Sequence, residues 1–264
     1  MCGIGGYVAA REARFDRTRA TRVLLAGIAE RGRDACGVAF RAAGGPVSVR
    51  KDARPFAAMV EEVAVPAEAS QVLVHIRDFT KGAPRIPENN HPIVHGAVTG
   101  VHNGRVHNDE ELFARFGVAR AHVDMTVDSE AIFMLLDRAT PAHVGGSAPR
   151  ALEQLVGSMA CAWLDDRDGD AVHIARGVLR PLWVGLGRGV AAWSSNADGL
   201  RYLESVVGMP FLVRPVLPGE ILHLRAGRIA GRERFRVDHD FRETNPATYR
   251  RGAEEFDLLA RLAG

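Results

Sequence analysis

Apolar and polar positions divide the chain into short periodic segments. Residues 3–9 (GIGGYVA) read as a short strand, and residues 16–30 carry Ala20, Val23, Leu24 and Ile28 at helical spacing before Gly32 ends the run. Apolar, β-branched runs follow at 36–40, 47–49, 71–76 and 94–101, separated by turn-rich stretches such as GAPRIPENNHP at 82–92. Helical patterns return at 109–116 and at 128–138, the second with Ile132, Phe133, Leu135 and Leu136 as its buried face. From residue 158 onward short strands dominate: SMACAWL, AVHIAR, PLWVGL, VAAWSS and, after the turn LPG, EILHL. No internal repeat or low-complexity linker interrupts the pattern. Many short strands with a few helices segregated between them predict α+β layers rather than an alternating βαβ sheet. The expectation is one domain over residues 1–264, with its core at about 2–225 and a less defined tail after about 240.

Composition narrows the classes without naming one. The 264 residues carry a net charge of +2, with 47% hydrophobic and 25% charged residues, which is ordinary globular usage. No window approaches the roughly 18 uninterrupted apolar residues of a membrane span, and MCGIGGYVAAREARFD lacks the regions of a signal peptide. A cytoplasmic protein without a membrane partner is expected. Arginines are interspersed with almost as many acidic residues rather than gathered in blocks, so no nucleic-acid partner is expected. Cys2, Cys36 and Cys161 are too few and too far apart for a disulfide framework or a cysteine zinc site. His91 and His95 have a spacing that binds metal on a helix, but their Pro- and Asn-rich context reads as strand and loop, so no metal is expected.

Cys2 changes this picture. Removal of the initiator Met before a small residue leaves a thiol and a free α-amino group on the same residue, so a nucleophile and a base arrive together. The amino group titrates at about 7.7–8.0 and the thiol at about 8.5, close enough to exchange a proton near neutrality. A cysteine in second position is by itself unremarkable. Here it opens CGIGGYV, whose glycines let the backbone approach a ligand before a strand holds the chain end. RGRDACG follows at 31–37, HIRDFTKG at 75–82, VHNGRVHNDEEL at 101–112 and VDSEAI at 127–132.

Together and in this order, these motifs resemble the glutaminase domain of the class II amidotransferases, which are N-terminal-nucleophile hydrolases. RGVLRPLWVG at 176–185, WSSNADGL at 193–200 and LPGEILHL at 217–224 resemble its later landmarks. The resemblance implies a four-layer αββα sandwich and no cofactor. It also implies that Cys2 attacks the side-chain amide of L-glutamine, forms a γ-glutamyl thioester and releases ammonia. Asn103 and the backbone N–H of Gly104 match the family's oxyanion donors, a class of contact worth about 2.7–4 kcal/mol in rate. Read from residue type alone, Asn-Gly is a hairpin turn. Arg77 matches the fork for the substrate carboxylate and Asp128 the partner of its ammonium, although Asp128 also reads as a helix N-cap. Thr80 falls in the segment lining the head group, and Arg31 matches an arginine that orients the N-terminal residue.

Asp78-Phe79 and Lys81 depart from the commoner family pattern, which predicts a modified edge to the pocket. The connection 78–92 beside Arg77 has the composition of a mobile lid. Few residues follow position 240, so a stand-alone glutaminase feeding ammonia to a separate synthase is expected. The alternatives are an independent hydrolase of a γ-glutamyl or other small amide, and a catalytically silent regulatory module.

Overall fold

The strands pair into two antiparallel sheets. In the first, β11 (Leu212–Pro215), β9 (Trp183–Gly187), β10 (Val190–Ser194), β1 (Gly3–Ala9), β4 (Ala69–Arg77), β2 (Ala35–Ala42) and β3 (Ser48–Asp52) lie in that order. The second runs β13 (Arg228–Arg234), β12 (Glu220–Arg225), β8 (Asp168–Arg176), β7 (Gly157–Asp165), β6 (Val98–Val106) and β5 (Ile93–His95). This is a computed structural model, and it describes residues 2–54, 56–139, 147–243 and 262. Met1 and most of the tail expected after residue 240 lie outside the described residues.

Side-chain alternation builds the layers. Along β1, Ile4 and Val8 point toward the second sheet and join Leu73, Val101, Ala160, Ala162, Ile174 and Leu222 in a core between the sheets. Tyr7 and Ala9 point the other way, into a core with Val23, Leu24 and Ile28 of the first helical segment and Leu200 and Leu203. α1 (Arg17–Gly27), which carries Val23 and Leu24, covers the first sheet together with α2 (Phe56–Glu62) and α6 (Ala197–Val207), which carries Leu200 and Leu203. α3 (Asp109–Phe116), α4 (Glu130–Arg138) and α5 (Ala148–Leu152) cover the second. The result is a four-layer αββα sandwich. Covering both faces explains why β1 is buried at every position instead of alternating with polar residues. Among the described residues, no helix is long and apolar enough to cross a membrane.

Four features differ from the sequence reading. The run 94–101 is not one strand: β5 and β6 form a hairpin around Gly96, where φ is +56°. β6 then continues through Asn103-Gly104 to Val106, so this dipeptide lies inside a strand instead of making a turn. Finally, Gly3 and Gly6 are required for packing. A Cβ on Gly3 would lie 2.7 Å from the Ile28 Cβ, and one on Gly6 would lie 2.1 Å from the Val72 carbonyl oxygen and 2.3 Å from the Trp193 ring. The helix α6 was also missed, although Leu200, Leu203 and Val207 form its buried stripe and Asn196 caps it.

α4 is seated by one aromatic contact. Phe133 is fully buried and rests on Gly100 of β6, where an added Cβ would come within 2.0 Å of the ring. Phe133→Ala should therefore lower the unfolding free energy by about 3–5 kcal/mol, the range for a buried phenylalanine. Urea denaturation would measure it, and a loss below about 1 kcal/mol would contradict this packing.

Candidate active site

The first strand fixes the start of the site. β1 is paired on both edges, with Gly3 opposite Ile76 of β4 and Gly5 opposite Ser194 of β10. Cys2 thus emerges from the middle of a sheet rather than from its edge. Its carbonyl accepts a 2.8 Å hydrogen bond from the Arg31 Nε. Its sulfur lies 3.3 Å from both the backbone nitrogen and the carbonyl oxygen of Asp78, at the end of β4. Close backbone contact is needed here: a Cβ on Gly32 would fall 2.3 Å from the Arg77 carbonyl oxygen. Asp34 completes the turn, donating its N–H to that carbonyl at 3.0 Å and accepting the Phe79 N–H at 2.7 Å. The RGRDACG and HIRDFTKG motifs are therefore two sides of one structural joint.

Several charges act on the Cys2 thiol. Burial pushes the thiol up to about 11, while the positive amino terminus, Arg77 and Arg31 work to lower it and Asp128 works to raise it. Arg77 is buried at the end of β4 and donates to Asn90 Oδ1 and to the carbonyls of Lys81 and Gly82. Asp128 is buried just before α4, and its Oδ2 accepts the Val106 N–H at 2.7 Å. Burial raises its pKa, against the opposing effect of that hydrogen bond. Its carboxylate thus braces the strand that carries Asn103 as well as facing the thiol.

Asn103 is fully buried, yet neither its Oδ1 nor its Nδ2 has a partner in the protein. Leaving a buried amide unpaired costs about 1–3 kcal/mol, so this side chain is available to bond a polar group that enters the site. Gly104 has φ of +139°, and a Cβ there would fall 2.0 Å from the Ser158 carbonyl oxygen. Only glycine fits this approach. β5 pairs with β6 only as far as Gly100, so beyond that residue this edge of β6 has no neighbouring strand among the described residues. Across the sheets, His75 Nε2 meets the His102 carbonyl at 3.2 Å, which sets this part of β6 against the end of β4.

The segment 78–92, expected as a mobile lid, is strapped down in this structure. Lys81 Nζ contacts both Asp109 oxygens at 2.8 and 2.9 Å and Glu110 at 3.0 Å. Asn89 Oδ1 accepts the N–H groups of Thr126 and Val127. The Lys81 side chain therefore ties the loop to α3. Phe79 and Thr80 are exposed, and the Phe79 N–H is held by Asp34 at the same joint. Asp109 also binds Arg120, which reaches Glu130 at 3.1 Å, and Glu130 meets His95 Nδ1 at 2.9 Å. Sequence reasoning missed Asn89, Asn90 and this charge network, because their partners lie up to 38 residues away. The Asn pair at 89–90, in a Pro-rich loop beside the arginine motif, was the available signal. No group of three or more His, Cys, Asp or Glu among the described residues is arranged to hold a metal.

Two packed sheets, with a cysteine leading into a central strand, define the architecture of the N-terminal-nucleophile hydrolases. Comparison with known proteins makes the family specific. Residues 83–201 match the model described as the glutamine amidotransferase domain, a stretch that includes Asn103, Gly104 and Asp128. Glutamine-fructose-6-phosphate aminotransferase (isomerizing) from Halalkalibacterium halodurans is 30% identical over 205 residues, covering 75% of this chain and 32% of the relative. The protein of the same name from Caulobacter vibrioides is 34% identical over 203 residues, with the same coverage. This chain thus spans about a third of the length of the curated relatives it matches. Glutamine phosphoribosylpyrophosphate amidotransferase from B. subtilis, complexed with ADP and GMP, superposes with a TM-score of 0.69 at 20% identity, over 90% of this chain and 50% of that one. The chain carries a class II glutamine amidotransferase domain.

The buried histidines make the fold acid-sensitive. Burial depresses His75 to about 3 and His102 to about 4, and His91, stacked on His75 at 4.0 Å, lies well below its ordinary value. An unfolded chain takes up these protons near pH 6.5 while the folded chain refuses them, so stability is lost as pH falls from about 6.5 toward 4. Urea midpoints should drop over that window, and His102→Gln should shrink the drop. A midpoint independent of pH between 7 and 4.5 would contradict this account.

Proposed function

We propose that the domain hydrolyses the side-chain amide of L-glutamine and passes the ammonia to a partner synthase. The observation that carries this reading is the unpaired, fully buried Asn103, on a strand braced by Asp128, within a site where Arg77 and Asp128 both act on Cys2. In the mature protein Met1 is removed, and the Cys2 α-amino group takes the thiol proton as sulfur attacks the amide carbon. The C–N bond breaks after that proton reaches the leaving nitrogen, ammonia departs, and a thioester remains. Water then attacks the thioester and releases glutamate with the free thiol. Asn103 Nδ2 and the Gly104 N–H bind the oxygen of each tetrahedral intermediate, where negative charge gathers.

Arg77 and Asp128 recognise the amino-acid head, pairing a carboxylate and an ammonium that would be costly to bury alone. Arg77 is held by the carbonyls of Lys81 and Gly82, so the same guanidinium that binds substrate also fixes the loop above it. Arg31 orients the nucleophile through the Cys2 carbonyl. Thr80 remains a head-group contact from the loop, reached when glutamine draws the exposed tip inward. Delivery to a synthase is supported by the relatives, whose names specify amino transfer to fructose 6-phosphate and whose length the matched region only partly covers.

Kinetics and intact mass test this reading. The mass should show loss of Met1, and Cys2→Ala should abolish glutamine hydrolysis. Arg77→Ala and Asp128→Ala should chiefly raise KM, whereas Asn103→Ala should lower kcat by about 10²–10³-fold with a smaller change in KM. Equal effects of all three on KM alone would contradict the roles. A loaded partner synthase should raise the hydrolysis rate. Fast turnover that no partner changes would remove the delivery role, and rapid cleavage of another γ-glutamyl amide with no glutamine turnover would replace the substrate.

A further inference from the structure

The residues behind Gly104 form a buried device that the reaction scheme does not use. Arg105 donates its N–H to the Ser158 Oγ at 3.2 Å, so at this point a side chain receives a backbone donor of β6. Ser158 is fully buried, and its hydroxyl bonds to Glu243 Oε1. Glu243 belongs to the segment after β13 and returns to the core of the second sheet. Both of its oxygens lie 2.6 Å from Arg180 Nη2. Arg180 is buried, and its Nη1 holds the carbonyl of Leu179 at 2.9 Å, a residue in the left-handed region at φ +61°. A left-handed leucine is uncommon, and here it turns the RGVLRPLWVG segment so that Arg180 points inward.

Hydrogen-bond chemistry gives this arrangement a direction. A carboxylate only accepts, so Glu243 takes the single Ser158 proton, and the hydroxyl's lone pairs are left facing the Arg105 N–H. Burial works to raise the Glu243 pKa, but its bonds to Arg180 and Ser158 outweigh this and hold it below the ordinary range. The carboxylate therefore stays ionised at neutral pH, and the hydroxyl cannot rotate away. The next N–H, that of Val106, is fixed by Asp128 at 2.7 Å. Two successive peptides after Gly104 are thus each clamped by a buried side chain.

We propose that Glu243, held by Arg180 and acting through Ser158, is a positioning residue that locks the Gly104–Arg105 peptide and so presets Asn103 and Gly104 for the developing oxyanion. It touches no reacting atom. The inference rests on the glutaminase reading for its catalytic consequence, while the lock itself has an independent readout. Preorganised donors act through the chemical step, so losing the lock lowers kcat and leaves ground-state binding in place.

Glu243→Ala and Ser158→Ala should each lower kcat for glutamine by about 10-fold or more, with KM within about 2-fold. Glu243→Gln keeps the side-chain size and an acceptor for Ser158, and should lose less; it also serves if the alanine variant does not fold. In parallel, amide hydrogen exchange at Arg105 should be faster in both alanine variants than in the parent. Unchanged kcat, or a rise in KM alone, in a folded variant overturns the catalytic role. Unchanged exchange at Arg105 overturns the lock. If the parent hydrolyses no glutamine, the glutaminase reading fails and takes the catalytic role with it, and exchange still decides the lock.

Discussion

The site depends on holding a chain end still. Termini are ordinarily among the least ordered parts of a domain, because they are bonded on one side only. Here the residue after Cys2 enters a strand that is paired along both edges and covered on both faces. Arg31 then fixes the Cys2 carbonyl, and the Asp78 backbone cradles its sulfur. The glycines around this joint serve the same end. Gly32 lets the turn of one motif touch the backbone of the other, and Gly3 lets α1 press on the first residue of the strand. In the proposed reaction the nucleophile and its base must both be held in place, and this packing is consistent with that demand.

Beyond this fixed end, the structure gathers buried charged side chains into paired sets. Lys81, Asp109, Arg120, Glu130 and His95 form one connected network from the loop over Arg77 to the base of α4. Fully satisfied networks of this kind rigidify what they connect, whereas an isolated buried charge would be costly. Asn103 Oδ1 and Nδ2 differ in having no partner in the protein, as do both ring nitrogens of His91. Burial keeps the stacked His75 and His91 neutral near pH 7.

The loop 78–92 shows how one element serves two purposes. Its carbonyls hold the Arg77 guanidinium, and its Lys81 is fastened to α3. Opening it therefore breaks an ion pair of which Asp109 is buried and Lys81 partly exposed. Such a strap yields more readily than core packing, which suits a segment lying over a binding pocket.

The sequence by itself determined most of the local elements and the class of domain. Periodicity marked β1, α1, α3 and α4, and an N-terminal cysteine followed by ordered Arg, Asn-Gly and Asp motifs pointed to amide chemistry at a thiol. These features are legible because they depend on neighbours within a few residues or on residue type at fixed order. Tertiary structure alone decided the rest. Asn-Gly at 103–104 sits inside a strand because pairing with β7 and the Ser158 carbonyl override the dipeptide's turn preference. Lys81 turned to Asp109, 28 residues away, and Glu243 returned across 85 residues to Ser158. Contacts at such separations arise when the two sheets and their helices pack, and no local pattern in the chain encodes which distant partner a charged side chain will meet.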